Sequence, residues 1–444
     1  MKGLLTRSLA ASALLFLLTV SAQAIDPDLA RFLATKKAQI HELADAQTNK
    51  VPVLVGKLFD AISVDDYETA TNLANRLSLS SGRYSDSKYD AMSPMLRGAI
   101  WPAISEIIGA NDVFHEWNNK WLHRFGREII SSIPRGSIYF GGTDPGRYII
   151  SALVDSHQAG DPFFVLTQNQ LADEAYLDYL QAMYGKKIRI PSAPEFANLC
   201  SNYFTEATER YNAGKLKPGE EVSVIGGKIQ IAGRTAVMTI NGLLANLIIE
   251  KNPERKFYLE ESFAIDAMYP YLSPHGLIFE VHHSPMKALS DDEIRNDQAY
   301  WKKLVAELIG DWVNEKTDVK VVCDFVDQCY LRKDLKDFKG DPAFISNIET
   351  RKSFGKLRSS IGELYAWRAE QAGTDKAEMQ RNADIAFKQA FACGPPPEAI
   401  YYYSKFLAKI NRTDDAIIVV KTALRLDPNI DVFNSLLRGL QKTQ

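Results

Sequence analysis

The sequence predicts an α/β core, a mostly parallel sheet flanked by helices, set between a helical N-terminal region and C-terminal α-hairpins. Three observations carry this. Apolar runs at 137–140, 163–167 and 256–259 each stop at polar or glycine residues, and helix-length segments separate them, the pattern of strands alternating with helices. Residues 26–132 place apolar side chains at helical spacing. Residues 340–440 read as helical again and repeat themselves.

Residues 1–24 read as a signal peptide: Lys2 and Arg7 precede an apolar run from Leu9 to Val20, and Ala22-Gln23-Ala24 fits a cleavage site. A span of the bilayer needs about 20 apolar residues, more than this run supplies. The expected mature chain begins near Ile25 and is exported to a bacterial periplasm, or otherwise secreted, with no membrane span after cleavage. In the N-terminal region, 25–132, Leu29, Phe32, Leu33, Ile40 and Leu43 mark a first helix. A helical hairpin over 51–79 would face Phe59, Tyr67, Ala70, Ala74 and Leu77 inward. Residues 80–90 are a polar loop, and further helices run through Trp101, Ile107 and Trp121.

The α/β domain is expected over 133–330. Strands at 137–140, 163–167 and 256–259 alternate with helices at 147–156, 171–184, 194–212 and 237–249. A short strand is expected at 187–190, a small hairpin around Gly226-Gly227, and a fourth sheet strand at 277–282. A helix over 291–318 opens with Ser290 and Glu293, the spacing of a capping box. Over 340–444, residues 397–430 fit one 34-residue tetratricopeptide unit. Ile400, Tyr403, Ser404 and Leu407 hold its first helix; Ala416, Val420, Ala423 and Leu426 hold its second, and Pro428 closes it. Ala383, Phe387, Ala390 and Pro395 recur 33 residues before Ala416, Val420, Ala423 and Pro428, as half of a preceding unit.

The candidate ligand site lies at the ends of three strands. Gly141, Gly142, Thr143, Asp144 and Arg147 follow the first, Gln168 and Asn169 the second, and Glu260 and Glu261 the third. Parallel neighbours would bring these groups to one edge, where open α/β sheets bind ligands. The glycines let backbone approach a ligand, and Asp144 before Pro145 suits a helix N-cap. The helix start with Arg147 nearby could also receive an anion or a hydroxyl. The loop has neither the Gly-Lys-Ser/Thr ending of a P-loop nor dinucleotide-binding glycine spacing. A carboxylate cluster there could bind a divalent ion or sugar hydroxyls, or do acid/base work.

Other signals exclude more than they assign. Losing residues 1–24 removes two cations and no acid, which moves the net charge from −3 to −5. That balance gives no basic face for nucleic acid. His282 and His283 are adjacent and point to opposite sides of a strand, and His275 and His157 stand alone, so no metal set is expected. No motif calls for a cofactor. Cys323 and Cys329 could form a disulfide in an oxidising compartment or remain buried thiols.

Residues 133–290 resemble the soluble part of a large bacterial membrane family called "domain of unknown function 2723", regarded as protein O-mannosyltransferase-like. In that family an apolar strand runs into Gly-Asp-Asn-Asp-Thr and a helix; Phe140-Gly141-Gly142-Thr143-Asp144 stands in that place here. Phe163–Thr167 with the helix after it, Arg255–Leu259, Tyr271-Leu272 and His275–Phe279 match in style. The chain lacks that family's membrane helices and keeps one aspartate of its loop, so catalytic residues do not carry over. The resemblance implies an exported α/β domain flanked by tetratricopeptide-like helices.

The expected function is that of a binding or scaffold protein. Its helical repeats would engage a protein partner, and its α/β domain a small polar ligand such as a saccharide. The alternative is an enzyme of envelope glycan metabolism, for glycosyl transfer or hydrolysis, using Asp144, Glu260 and Glu261. Burial and perturbation of these carboxylates separate the two.

Overall fold

A computed structural model of the chain describes residues 25–46, 50–80, 98, 100–225, 228–261 and 266–442. The expected signal peptide, nearly all of the 80–90 loop, the Gly226-Gly227 turn and Ser262 lie outside the described residues. The described chain is mixed α/β, with seventeen α-helices, a five-stranded sheet and a separate two-stranded hairpin.

The N-terminal helices are α1 (Pro27–Ala46), α2 (Val53–Ser63), α3 (Tyr67–Ser80), α4 (Ile100–Glu116) and α5 (Asn119–Ser132). Phe59, Ala70, Ala74 and Leu77 are buried between α2 and α3, as their spacing requires. α4 is apolar nearly all round and is enclosed by α1 and by α6 (Asp144–Leu153).

The sheet holds β1 (Ile138–Gly141), β2 (Phe164–Thr167), β5 (Phe257–Glu260), β6 (Leu272–His275) and β7 (Ile278–Val281), in the order β2-β1-β5-β7-β6. β1 runs parallel to β2 and to β5. β7 runs antiparallel to β5 and to β6. The sheet is therefore mixed rather than mostly parallel. The cause is local: Gly276, in the left-handed region at φ 62°, turns β6 tightly back as β7, leaving no room for a crossover helix. The first three strands are four residues long and wholly buried, as expected for strands covered on both faces.

Residues 187–190 do not form a strand. Their backbone turns back instead: Lys187 N and Ile188 N donate to Tyr184 O (2.7 and 3.0 Å), while Asn252 accepts from Arg189 N (2.8 Å) and donates to Arg189 O (2.9 Å). Between α7 (Glu174–Tyr184) and β5 the chain makes an excursion of α8 (Ala193–Asn212), the hairpin β3 (Glu221–Ile225) and β4 (Lys228–Ala232), and α9 (Arg234–Lys251).

α10 (Asp291–Ile309) begins with the expected capping box: Ser290 N donates to Glu293 Oε2 (2.7 Å) and Glu293 N to Ser290 Oγ (3.3 Å). It ends at Ile309, nine residues earlier than expected, with Gly310 as its C-cap, and α11 (Val319–Val326) follows. The short α12 (Pro342–Ser346) leads into α13 (Ile348–Arg368). α13 and α14 (Lys376–Cys393) form one antiparallel hairpin, and α15 (Pro397–Lys409) and α16 (Thr413–Leu426) another, with α17 (Asp431–Lys442) last. Ala383, Ala390, Ala416 and Ala423 are buried where these helices approach. A buried ion pair joins α10 to α13: Arg358 grips both Asp297 oxygens at 3.0 and 2.9 Å, and Tyr365 OH donates to Asp297 at 2.9 Å.

Candidate functional site

The three parallel strands end level with one another: Gly141 lies beside Thr167 on one side and Glu260 on the other. β1 connects outward to β2, while β5 continues in the opposite direction toward β7. The gap between β1 and β5 is thus a switch point in the strand order, the place where an α/β sheet opens a crevice.

Glu260 does not face that crevice. It is buried, and its carboxylate accepts from Gly142 N (3.2 Å), Thr143 N (2.9 Å) and Thr143 Oγ1 (2.6 Å). Thr143 Oγ1 in turn accepts from Gly146 N (3.2 Å), so Thr143, not Asp144, caps α6. Tyr139 OH donates to Gly146 O at 2.7 Å. The start of α6 therefore already holds an anion, the chain's own Glu260. Two glycines permit this approach: a Cβ on Gly146 would overlap the Glu260 carboxylate, and one on Gly142 the Glu261 carboxylate. Burial pushes the Glu260 carboxyl above its ordinary value, against the pull of its three donors.

Gly142, Thr143, Asp144, Arg147, Asn169 and Glu261 do share a cleft, of about 530 Å³. Gly141 and Gln168 lie behind it; Gln168 is fully buried. Asn169 Nδ2 donates to Gly142 O, tying the end of β2 to the loop. Arg147 pairs with Asp144 and lies over the Tyr148 ring, 4.6 Å from its centroid.

The opposite wall comes from elements far away in sequence. α4 contributes Glu116 and Trp117, α13 Lys352, Ser353 and Lys356, and α15 Glu398. Lys352 pairs with Glu349 (3.1 Å) and Lys356 with Glu398 (3.5 Å). Burial and the neighbouring Glu349 push Glu116 up. One turn earlier, Asp112 is raised to about 6, by burial and by the negative charges of Glu116 and Asp144. Arg147 Nε, Asn169 Oδ1 and Glu398 Oε2 are buried atoms without a hydrogen-bond partner among the described residues. Sequence reasoning missed this wall because a charged residue on a helix reads as solvated surface until its neighbour is known.

A second concavity, about 630 Å³, lies among the C-terminal helices and is lined in part by Trp367, Tyr402, Phe406, Ile410 and Leu440. The histidines are individually held: His275 by Ser132 O, His282 by Ser273 Oγ, His283 by Arg255 O, and His157 by Glu106. All four cysteines are free, and Cys323, Cys329 and Cys393 are buried thiols. None of the described helices is long and apolar enough to cross a membrane. Compared with protein-family models, curated proteins and solved structures, the chain matches none.

Proposed function

We propose that this is an exported binding and scaffold protein. It would take a small polar ligand in the cleft at the β1–β5 switch point and a protein partner along its tetratricopeptide-like C-terminal helices. The observation that carries the reading is the composition of the cleft. Loop 142–147, Asn169 and Glu261 face Lys352, Ser353, Lys356 and Glu398 across about 530 Å³. Charges of both signs and buried polar atoms without protein partners suit a ligand rich in hydroxyls or carrying both charges, such as a saccharide. α13 and α15 supply one wall of this cleft and also line the apolar groove around Trp367 and Phe406. A partner in that groove would therefore contact the helices that touch the ligand.

The test is thermal unfolding of the chain against nucleotides, nucleotide sugars and cell-wall saccharides, alongside Asn169→Ala and Lys356→Ala. A ligand of the native state raises the melting temperature by mass action. A rise lost in both variants supports the cleft; no rise with any compound sinks the ligand half of the reading. The raised Asp112 and Glu116 favour one second reading, acid/base work on a glycan in the same cleft. It requires turnover of a saccharide that Glu116→Gln abolishes.

A further inference from the structure

Asp26 and Asp28, at the start of α1, meet His123 of α5 well away from the cleft. One carboxylate oxygen from each aspartate and one imidazole nitrogen lie within 4.8 Å of one another, and all three residues are half-buried. We propose that Asp26, Asp28 and His123 bind a divalent transition-metal ion of the zinc class, clipping the start of α1 to α5.

Four features support this. His123 Nε2 lies 3.0 Å from Asp26 Oδ2, and Nδ1 lies 3.7 Å from Asp28 Oδ2. Two ligands on one zinc, each bonded at about 2.0–2.1 Å and about 90–110° apart, sit about 3.0–3.4 Å from each other. Only one ring nitrogen can face a given ion: with Nε2 as the ligand the Asp26 oxygen is already at that separation, and Asp28 must close on the same ion from within the 4.8 Å that bounds the three ligand atoms. Next, the aspartates are oriented by their other oxygens. Asp28 N donates to Asp26 Oδ1 (2.9 Å), and Arg31 holds Asp28 Oδ1 (2.7 Å), which leaves an Oδ2 on each beside the imidazole. Asn119 Nδ2 also donates to Asp26 Oδ2 (3.3 Å), the outer-shell support that metal-binding carboxylates use. Third, the ring itself is held edge-on against Phe114, with centroids 6.3 Å apart. Last, the cluster brings together two carboxylates, of which Arg31 pairs with one. One nitrogen with two oxygens favours zinc-like ions over calcium or magnesium, which take oxygen alone.

The test is a zinc titration of the tag-free chain, followed by calorimetry and by thermal unfolding, with cobalt(II) absorption as a report on coordination. We expect one zinc per chain, a higher melting temperature, and affinity at least tenfold weaker in His123→Asn and in Asp28→Asn. The surface variant His41→Asn should bind as the parent does. Asp28→Asn disturbs only the half-exposed pair with Arg31 and the 3.7 Å contact with His123, so it decides the matter if His123→Asn does not fold. No stoichiometric binding, or equal affinity in Asp28→Asn and the parent, overturns the proposal.

Discussion

Glu260 is the residue on which the geometry of the cleft loop depends, and its removal gives a sharp test. Glu260→Ala leaves the Thr143 N–H and hydroxyl without their acceptor, while Gly142 N keeps its 2.7 Å bond to the Glu260 carbonyl. Each orphaned buried donor costs about 1–3 kcal/mol, although the Thr143 hydroxyl can rotate to another acceptor. Losing a buried charge returns part of its burial cost, so the net loss should be about 1–3 kcal/mol. Unfolding entropy of about 2.1 cal/mol/K per residue over roughly 400 ordered residues converts this to a melting temperature about 1–4 °C lower. Glu260→Gln keeps the volume and one acceptor oxygen and should cost only about 1 kcal/mol. pH separates the two charge states. The folded Glu260 value lies above the ordinary 4.5, so the wild-type carboxyl loses stability as pH rises from 4.5 through its folded value. Glutamine does not titrate, so its cost should be largest in acid and shrink as pH rises. Melting curves of the three proteins between about pH 4 and pH 8 provide the measurement. An alanine variant that melts with the wild type, or a glutamine cost that grows with pH, would refute the reasoning.

Three further outcomes follow from the buried groups. Burial resists ionisation of Glu106, yet the charges of Lys36 and His157 hold its carboxyl at about 2; its stabilising effect is complete above 4.5 and fades as pH falls toward 2. The stability gap between the parent and Glu106→Gln should therefore narrow below pH 4.5, and a gap independent of pH would count against the ion pair. Asp297→Ala strands Arg358, which is 1 % exposed, and should cost about 3–5 kcal/mol, with part recovered by adding Arg358→Met; denaturant midpoints of the single and double variants decide it. A thiol reagent should modify half-buried Cys200 first in the folded chain and reach all four cysteines after denaturation without reductant; fewer than four would reveal a disulfide.

Local signals were legible where one segment supplies both partners. The Ser290–Glu293 capping box, the α2–α3 hairpin and the small residues that let α13–α16 pack were all readable from spacing. The level ending of β1, β2 and β5 was readable too, because three strands ran into polar residues at similar points. Several readings went differently, three of them for a reason the contacts show. The α6 cap moved from Asp144 to Thr143 because Thr143 is also held by Glu260, a residue 117 positions away. The 187–190 strand gave way to a turn because Tyr184 O takes the N–H groups of Lys187 and Ile188 and Asn252 holds the backbone of Arg189. The parallel sheet became mixed because Gly276 folds β6 straight back into β7.

By itself, then, the sequence determined the helices, the strand ends and the polar character of loop 141–147, since these depend on periodicity and on residues within a few positions of one another. Only the tertiary structure decided that Glu260 belongs to the loop and Glu261 to the cleft. Neighbours on a strand point to opposite sides, and which side faces a cavity depends on what covers the sheet. It likewise brought Lys352, Lys356 and Glu398 over the strand ends, and His123 onto Asp26 and Asp28. Such meetings depend on how helices pack, through contacts between residues roughly a hundred or more positions apart that leave no pattern in the chain between them.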